Sequence, residues 1–275
     1  MITFSQLGRY GRLGNQMFQI ASTIGIAIKN GYDYAFPEWK NYDAAERFGS
    51  KEDIDVQKWF KNKLPVLDNE RIAKESIGWV MNTHHIPFGF HGFDIPDNVS
   101  LSGHMQSEKY FEHCEDVVRG YFEFVDRNAL LGEPRSNTTS IHIRLRDYSD
   151  QQGYHPVQTK EYYEAAINEI GAKEKFVLYS DDINEAYKLF KEWFVGKYNI
   201  RPIYTYIAPI SPVMILEMQT GNRNYICSNS TFSWWAAWLS KHPNKKIIQP
   251  SNWFGPAWNG TMDAKDIYIK NAIVI

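Results

Sequence analysis

The sequence predicts an α/β protein made of two halves, each a parallel sheet flanked by helices, and three observations carry that prediction. From residue 140 onward, apolar runs of strand length alternate with longer stretches of helical period. At the N-terminus an apolar run is followed by Gly8, Gly11 and Gly14 and then by an apolar-rich segment, the strand, glycine loop and helix order of an α/β unit. Between them lies a polar stretch, LGEPRSNTT at 131–139, with Gly132 and Pro134. A boundary is expected there, with halves at 1–133 and 137–275.

Taken in order, Ile2 to Leu7 reads as the first strand and Asn15 to Asn30 as a helix with a wide apolar face, closed by Gly31 as a C-cap. The glycine spacing is G-x-x-G-x-x-G, which is not the dinucleotide fingerprint G-x-G-x-x-G, so a nicotinamide enzyme is disfavoured. Residues 37–97 carry Pro37, Pro65, Pro87 and Pro96 and no motif. Asp53 and Asp55 imitate a metal-binding D-x-D, but for a pattern this short a solvated acidic turn is the preferred reading. Val99 to Leu101 then reads as a strand leading through Gly103 into a helix, GHMQSEKYFE. His104, Gln106 and Lys109 stand at that junction, where α/β proteins place ligand contacts.

In the second half the expected strands are Ser140 to Arg144, Phe176 to Ser180, Ile203 to Tyr206, Tyr225 to Ser228 and Lys246 to Ile248. Helices are expected at Lys160 to Ile170, Ile183 to Phe194, Pro212 to Gln219 and Phe232 to Lys241. In a parallel sheet, ligands gather at the C-terminal strand ends. Three polar clusters fall there: His142, Arg144, Arg146 and Asp147; Ser180, Asp181 and Asp182; Ser228, Asn229, Ser230 and Thr231 with Phe232.

Each cluster has a chemical reading. In SIHIRLRDY, period-two alternation puts Ile141, Ile143 and Leu145 on one face and His142, Arg144 and Arg146 on the other. Two guanidiniums at a strand end suit a phosphate group, and a solvated basic edge is the plain alternative. SNSTFS opens a helix and supplies N-cap hydroxyls and free N–H groups, an anion site, where ordinary capping explains only one of its small polar residues. Trp234, Trp235 and Trp238 at helical spacing belong to the core. Asp181 and Asp182 suit a ribose, a base edge or a metal, or else cap the following helix. A carboxylate facing a base fits guanine, which offers two parallel donors.

The 275 residues are 43% hydrophobic with a net charge of −2, enough for real cores and against a broad nucleic-acid surface. The two cysteines, Cys114 and Cys227, lack the spacing of a disulfide framework or a cysteine-rich metal site. No basic n-region with a long apolar run follows Met1, and no window approaches a membrane span, so a cytoplasmic protein is expected. Peripheral membrane association is left open.

GRLGNQMFQIA, LSGHMQSEKYF, HIRLRDY, YSDDI, SNSTFSWWAAWL and IIQPSNWFGP resemble, in order and over nearly the whole chain, the motifs of the bacterial α-1,2-fucosyltransferases of glycosyltransferase family 11. The resemblance implies a GT-B-like fold of two Rossmann-like halves with a donor cleft between them, the first half on the acceptor side and the second holding the donor. It implies GDP-β-L-fucose as donor, inversion at the transferred carbon, no required metal or other cofactor, and a galactose-containing oligosaccharide, of a bacterial O-antigen or a host-like glycan, accepting on its 2-hydroxyl. It assigns Arg144 to the pyrophosphate, His142 beside it to the motif's histidine among the donor-binding residues, Asn15 to the donor phosphates from the other half, Ser230, Thr231 and Phe232 to the donor-binding turn, and the acids after Ser180 to the nucleoside. The chain departs from the family where Leu145 replaces a second arginine and Arg146 follows, and where His104 and Met105 replace aromatic residues.

In that framework Arg144 and Asn15 act on the leaving group, and Asp147 orients an arginine by a salt bridge. His91, Asp94, His104 and Glu108 are candidates for the base. A carbohydrate-binding protein without catalysis and a metal-dependent sugar transferase are the rival readings.

Overall fold

The computed structural model describes residues 1–41, 55–67, 83–125, 136–203 and 211–275. The chain divides into two compact units, Met1–Asp126 with Lys265–Ile267, and Arg127–Ala264 with Tyr268–Ile275. The three-residue return of the C-terminal segment to the first unit has no counterpart in the sequence expectation. Asp266 explains it locally: its carboxylate accepts from Lys109 Nζ at 2.6 Å and from the backbone N–H of Phe90 at 3.1 Å.

The first unit holds a three-stranded parallel sheet of β1 (Ile2–Thr3), β2 (Thr83–His85) and β3 (Val99–Ser102), with β3 in the centre. α1 (Leu13–Asn30) ends in the predicted way, with Gly31 in the left-handed region at φ 71°. β1 is shorter than the predicted Ile2–Leu7, because the chain turns after Thr3 and passes Gly8 at φ +84° and Gly11 at φ +81°. A Cβ on Gly8 would lie 1.8 Å from the Lys40 carbonyl oxygen, so this turn tolerates only glycine. The helix expected after Gly103 is instead two 3₁₀ turns, Glu108–Tyr110 and Glu112–Cys114, before α2 (Glu115–Tyr121). Gly103 at φ +117° and Met105 at φ +47° hold the intervening chain in a turn that no helix contains.

The second unit is one six-stranded parallel sheet. Its strands are β4 (Thr138–Ile143), β5 (Lys175–Ser180), β6 (Ile200–Pro202), β7 (Asn224–Ile226), β8 (Ile247–Gln249) and β9 (Ile273–Val274), in the order β6-β5-β4-β7-β8-β9. Between them lie α3 (Arg146–Asp150), α4 (Lys160–Ile170), α5 (Ile183–Trp193), α6 (Pro212–Thr220) and α7 (Thr231–Leu239). The expected strand at Ile203 to Tyr206 is displaced to Ile200–Pro202, and residues 204–206 lie outside the described residues. β9 was not anticipated, since a two-residue strand leaves no periodicity to read.

Ile141, Ile143 and Leu145 enter one core with Tyr163, Ile167, Phe176, Leu178 and Phe190, as the alternation requires. α7 is buried from Ser233 to Leu239, and its three tryptophans pack on one another with ring centroids 4.9 to 6.1 Å apart. A helix apolar all round is a core element. Its position beside β7 fixes the turn that precedes it.

Candidate active site

The strand order reverses between β4 and β7: β5 and β6 extend from β4 to one side, β8 and β9 from β7 to the other. Such a switch point opens a crevice at the C-terminal ends of the strands. Because the strands run parallel in register, with Ile143 opposite Ser180 and Ile141 opposite Ile226, the three polar clusters do come to one edge of the sheet.

β4 ends at Ile143. Leu145, at φ −123° and ψ −87°, turns the chain out of the sheet and into α3. Arg144 therefore projects from the strand end itself, with its side chain 13% exposed. One terminal nitrogen, Nη2, donates to Asp147 Oδ1 at 2.7 Å; the other, Nη1, lies 3.2 Å from Asp181 Oδ2. The guanidinium also lies over the Tyr148 ring, 5.4 Å from its centroid. Asp181 Oδ1 accepts from the Leu145 N–H at 2.9 Å, so this carboxylate ties the end of β5 to the turn after β4.

Arg146 does not share the face of His142 and Arg144. The alternation that would place it there ends with the strand, and as the first residue of α3 it is exposed. Leu145, in the place of the family's second arginine, is core. Arg144 is thus the arginine that the sheet edge presents.

His142 is 3% exposed, and its Nδ1 lies 2.7 Å from Ser228 Oγ. Burial, with the Arg144 charge nearby, lowers its pKa to about 3, so the imidazole is neutral at physiological pH. Its ring stacks on Phe232 at 5.8 Å. This pair links the β4 end to the α7 turn.

Ser230 caps α7 by accepting from the Phe232 N–H at 3.3 Å. The polar residues beyond one cap have structural partners as well. Ser228 meets His142, and the Asn229 amide donates to the Pro156 and Trp253 carbonyls at 3.0 and 3.1 Å. Ser233 donates to the Ser230 carbonyl at 3.1 Å. Thr231 is half-buried at the helix start, and the first turn of the helix is what this segment can offer an anion.

Across the β5 end, Asp182 is the N-cap of α5, accepting from the Glu185 N–H at 3.2 Å, while Ser180 Oγ accepts from the Asp182 N–H at 3.0 Å. Capping, one of the two readings the sequence offered, is what this geometry displays for Asp182.

The sequence did not point to an aromatic group next to Arg144. Tyr148 stacks on His155 at 5.1 Å, and His155 meets Phe254 and Trp258, both at 6.1 Å. Burial holds the His155 pKa below its usual value, against the opposing pull of Asp147. Tyr148 stands in HIRLRDY and Phe254 in SNWFGP, so their places in the motifs were the available signal.

In the first unit, Asn15 lies in the first turn of α1, and its Oδ1 accepts from Gln106 Nε2 at 3.0 Å. Buried polar side chains of α1 fasten the neighbouring loops: Gln16 to the Gly11 carbonyl, Gln19 to that of Tyr10, and Ser22 to that of Met105, at 2.7 to 2.9 Å. His104 stacks on Tyr10 at 4.8 Å, with Nε2 at 3.2 Å from the tyrosine hydroxyl. His91 Nε2 lies 3.1 Å from the Phe88 carbonyl. Asp53 lies outside the described residues, and among those described no group of three or more His, Cys, Asp or Glu side chains could hold a metal ion. Nor is any described helix long and apolar enough to cross a membrane.

Comparison with known proteins places this geometry in context. The family model described as Glycosyl transferase family 11 matches residues 6–273. The O-antigen biosynthesis glycosyltransferase WbnK of Escherichia coli is 31% identical, over 89% of this chain and 93% of that protein. An alpha-1,2-colitosyltransferase of Escherichia coli is 25% identical, over 89% and 90%. Among solved structures, POFUT1 in complex with GDP-fucose matches with TM-score 0.51 at 13% identity, over 90% of this chain and 97% of that one. The fucosyltransferase NodZ from Bradyrhizobium matches with TM-score 0.50 at 12% identity, over 86% and 91%. At such identities the two structures speak to fold, and the fold they share with this chain is that of GT-B fucosyltransferases.

Proposed function

The chain belongs to glycosyl transferase family 11, and from that premise we propose that it moves L-fucose from GDP-β-L-fucose to the 2-hydroxyl of a galactoside, with inversion and without a metal ion. The observation that carries the reading is Arg144, held at the switch point of a parallel sheet beside the capped start of α7. In such a transfer the acceptor hydroxyl attacks the anomeric carbon on the face opposite GDP. Positive charge grows on the sugar ring and negative charge on the departing pyrophosphate. The demanding task is to receive that negative charge, which a fixed guanidinium and the N–H groups of a helix start can do without moving.

Support for fucose comes from the motif resemblance, and support for the α-1,2 linkage from the name of one relative as well. One relative is named for O-antigen biosynthesis and one for α-1,2 transfer of colitose; the acceptor we propose, a galactose-containing oligosaccharide, rests on the motif resemblance. The second name favours one alternative donor, GDP-colitose, whose sugar is a fucose lacking the 3-hydroxyl. Asn15 enters the reading through its motif, with Gln106 as the side chain that orients its amide.

The test is incubation with GDP-fucose or GDP-colitose and a β-galactoside, measuring free GDP and the linkage of the product. Acceptor-dependent GDP release with an α-1,2 product is expected. Sugar binding without release would instead describe a carbohydrate-binding protein, and loss of turnover in EDTA a metal-dependent transferase.

A further inference from the structure

We propose that Asp181 is a positioning residue that aims the Arg144 guanidinium at the donor pyrophosphate and does not read the nucleoside base. The proposal rests on the function proposed above and departs from the family-based assignment of the acids after Ser180.

A carboxylate that recognises guanine presents both oxygens, side by side, to the N1–H and the 2-amino group. Asp181 has one oxygen hydrogen-bonded elsewhere, while the other accepts no hydrogen bond and faces the guanidinium as an ion pair. Oδ1 accepts from the Leu145 N–H at 2.9 Å, and Oδ2 lies 3.2 Å from Arg144 Nη1. The acid is 13% exposed, as is the arginine, so water screens their interaction little. Asp147 takes the other terminal nitrogen at 2.7 Å.

The two carboxylates approach from different elements, Asp147 from α3 and Asp181 from the end of β5, and so restrict the guanidinium in two directions. A guanidinium has five N–H donors in a rigid fork, so two engaged ends still leave donors for an incoming phosphate. Asp181 also holds the backbone immediately after Arg144. Losing it would therefore loosen the arginine at both its tip and its root.

Two acids around one arginine give the trio a formal charge of −1. Removing one acid raises the local positive charge while it loosens the aim, and these effects oppose each other for ground-state binding of GDP. They do not oppose each other in the transition state, where a displaced donor forfeits stabilisation that depends on geometry. The signature is therefore a loss of turnover with little change in nucleotide affinity.

The experiment compares wild type, Asp181→Asn, Arg144→Gln and the double variant, each checked for a native melting transition. It measures kcat with GDP-fucose and dissociation constants for GDP, ADP and IDP, the last being a nucleotide without the 2-amino group. For Asp181→Asn we expect kcat to fall at least about tenfold, GDP affinity to stay within about threefold, and the preference for GDP over IDP to persist. In the Arg144→Gln background the same substitution should cost little more, because a residue acting through Arg144 has nothing left to position. A GDP preference that collapses in Asp181→Asn, an unchanged kcat, or losses that multiply in the double variant would each overturn the proposal. If Asp181→Asn does not fold, Asp181→Glu, which retains the charge but shifts the oxygens, is read by the same nucleotide preference and kcat. A wild-type enzyme that binds GDP no tighter than ADP would remove the guanine reading itself, and the proposal with it.

Discussion

The edge of the second unit's sheet and the loops around α1 in the first unit solve different problems with different residues. At the sheet edge, a cation is held between carboxylates and a buried imidazole is kept neutral. Around α1 the described fastenings are made by amides and hydroxyls: Gln16, Gln19 and Ser22 to backbone carbonyls, Gln106 to Asn15, Tyr10 to His104. Charge held rigidly suits a ligand that carries charge and develops more during reaction. Uncharged donors and acceptors beside aromatic rings suit a sugar, whose hydroxyls need partners and whose ring needs a flat surface.

The largest effects are expected at the charged edge. Arg144→Ala should lower kcat by about a hundredfold or more, corresponding to roughly 3 kcal/mol of transition-state stabilisation. Arg144→Lys should also be impaired, because a point charge cannot meet both Asp147 and Asp181 as the fork does. Steady-state GDP release checks both.

A stability effect follows from His142. Below about pH 6.5 the unfolded imidazole takes up a proton that the buried one, with its pKa near 3, refuses. Stability from this group is complete above pH 6.5 and declines as pH falls toward 3, by up to about 1.4 kcal/mol per pH unit. His142→Asn should flatten that acid limb in melting curves, and an unchanged slope would mean that the imidazole is protonated where it sits.

In the amide-built region, Gly103→Ala should destabilise the first unit by about 1–3 kcal/mol, since a Cβ there would lie 2.2 Å from the Ile86 carbonyl oxygen at φ +117°. Gln106→Ala removes the partner of Asn15 and should cost about 1 kcal/mol, several-fold in turnover. A hundredfold loss there would erase the distinction drawn between the two regions. The smallest effect is expected at the thiols. Burial raises Cys114 to about 11 and Cys227 to about 12, so neither should be labelled by a thiol reagent at pH 8 in the native state.

What the sequence made legible differs between the same two regions, for one physical reason. In the second unit, local signals and tertiary structure agree. Alternation marked β4, helical period marked α4 and α5, and parallel order brought the polar clusters to one edge. Local signals stop where long-range contacts decide. Asp181 finds Leu145 thirty-six positions away, and Arg146 leaves its expected face because the strand ends at Ile143 and the chain turns at Leu145 into α3. In the first unit the turns at Gly11 and Met105 are stabilised by buried side chains of α1, so GHMQSEKYFE reads as a helix and folds as 3₁₀ turns. The Tyr148, His155, Phe254 and Trp258 group joins segments about a hundred residues apart, which no window of sequence displays.

The central claim is that an arginine fixed by carboxylates receives the leaving group's charge in place of a metal. It is tested most directly by measuring GDP release from GDP-fucose, with a galactoside acceptor, for wild type and Arg144→Ala in EDTA and again with added magnesium or manganese. The account predicts that wild-type turnover is the same in all three media and that Arg144→Ala is lower by about a hundredfold in each. Near-normal turnover of Arg144→Ala, or a wild-type enzyme silenced by EDTA and restored by metal, would contradict it.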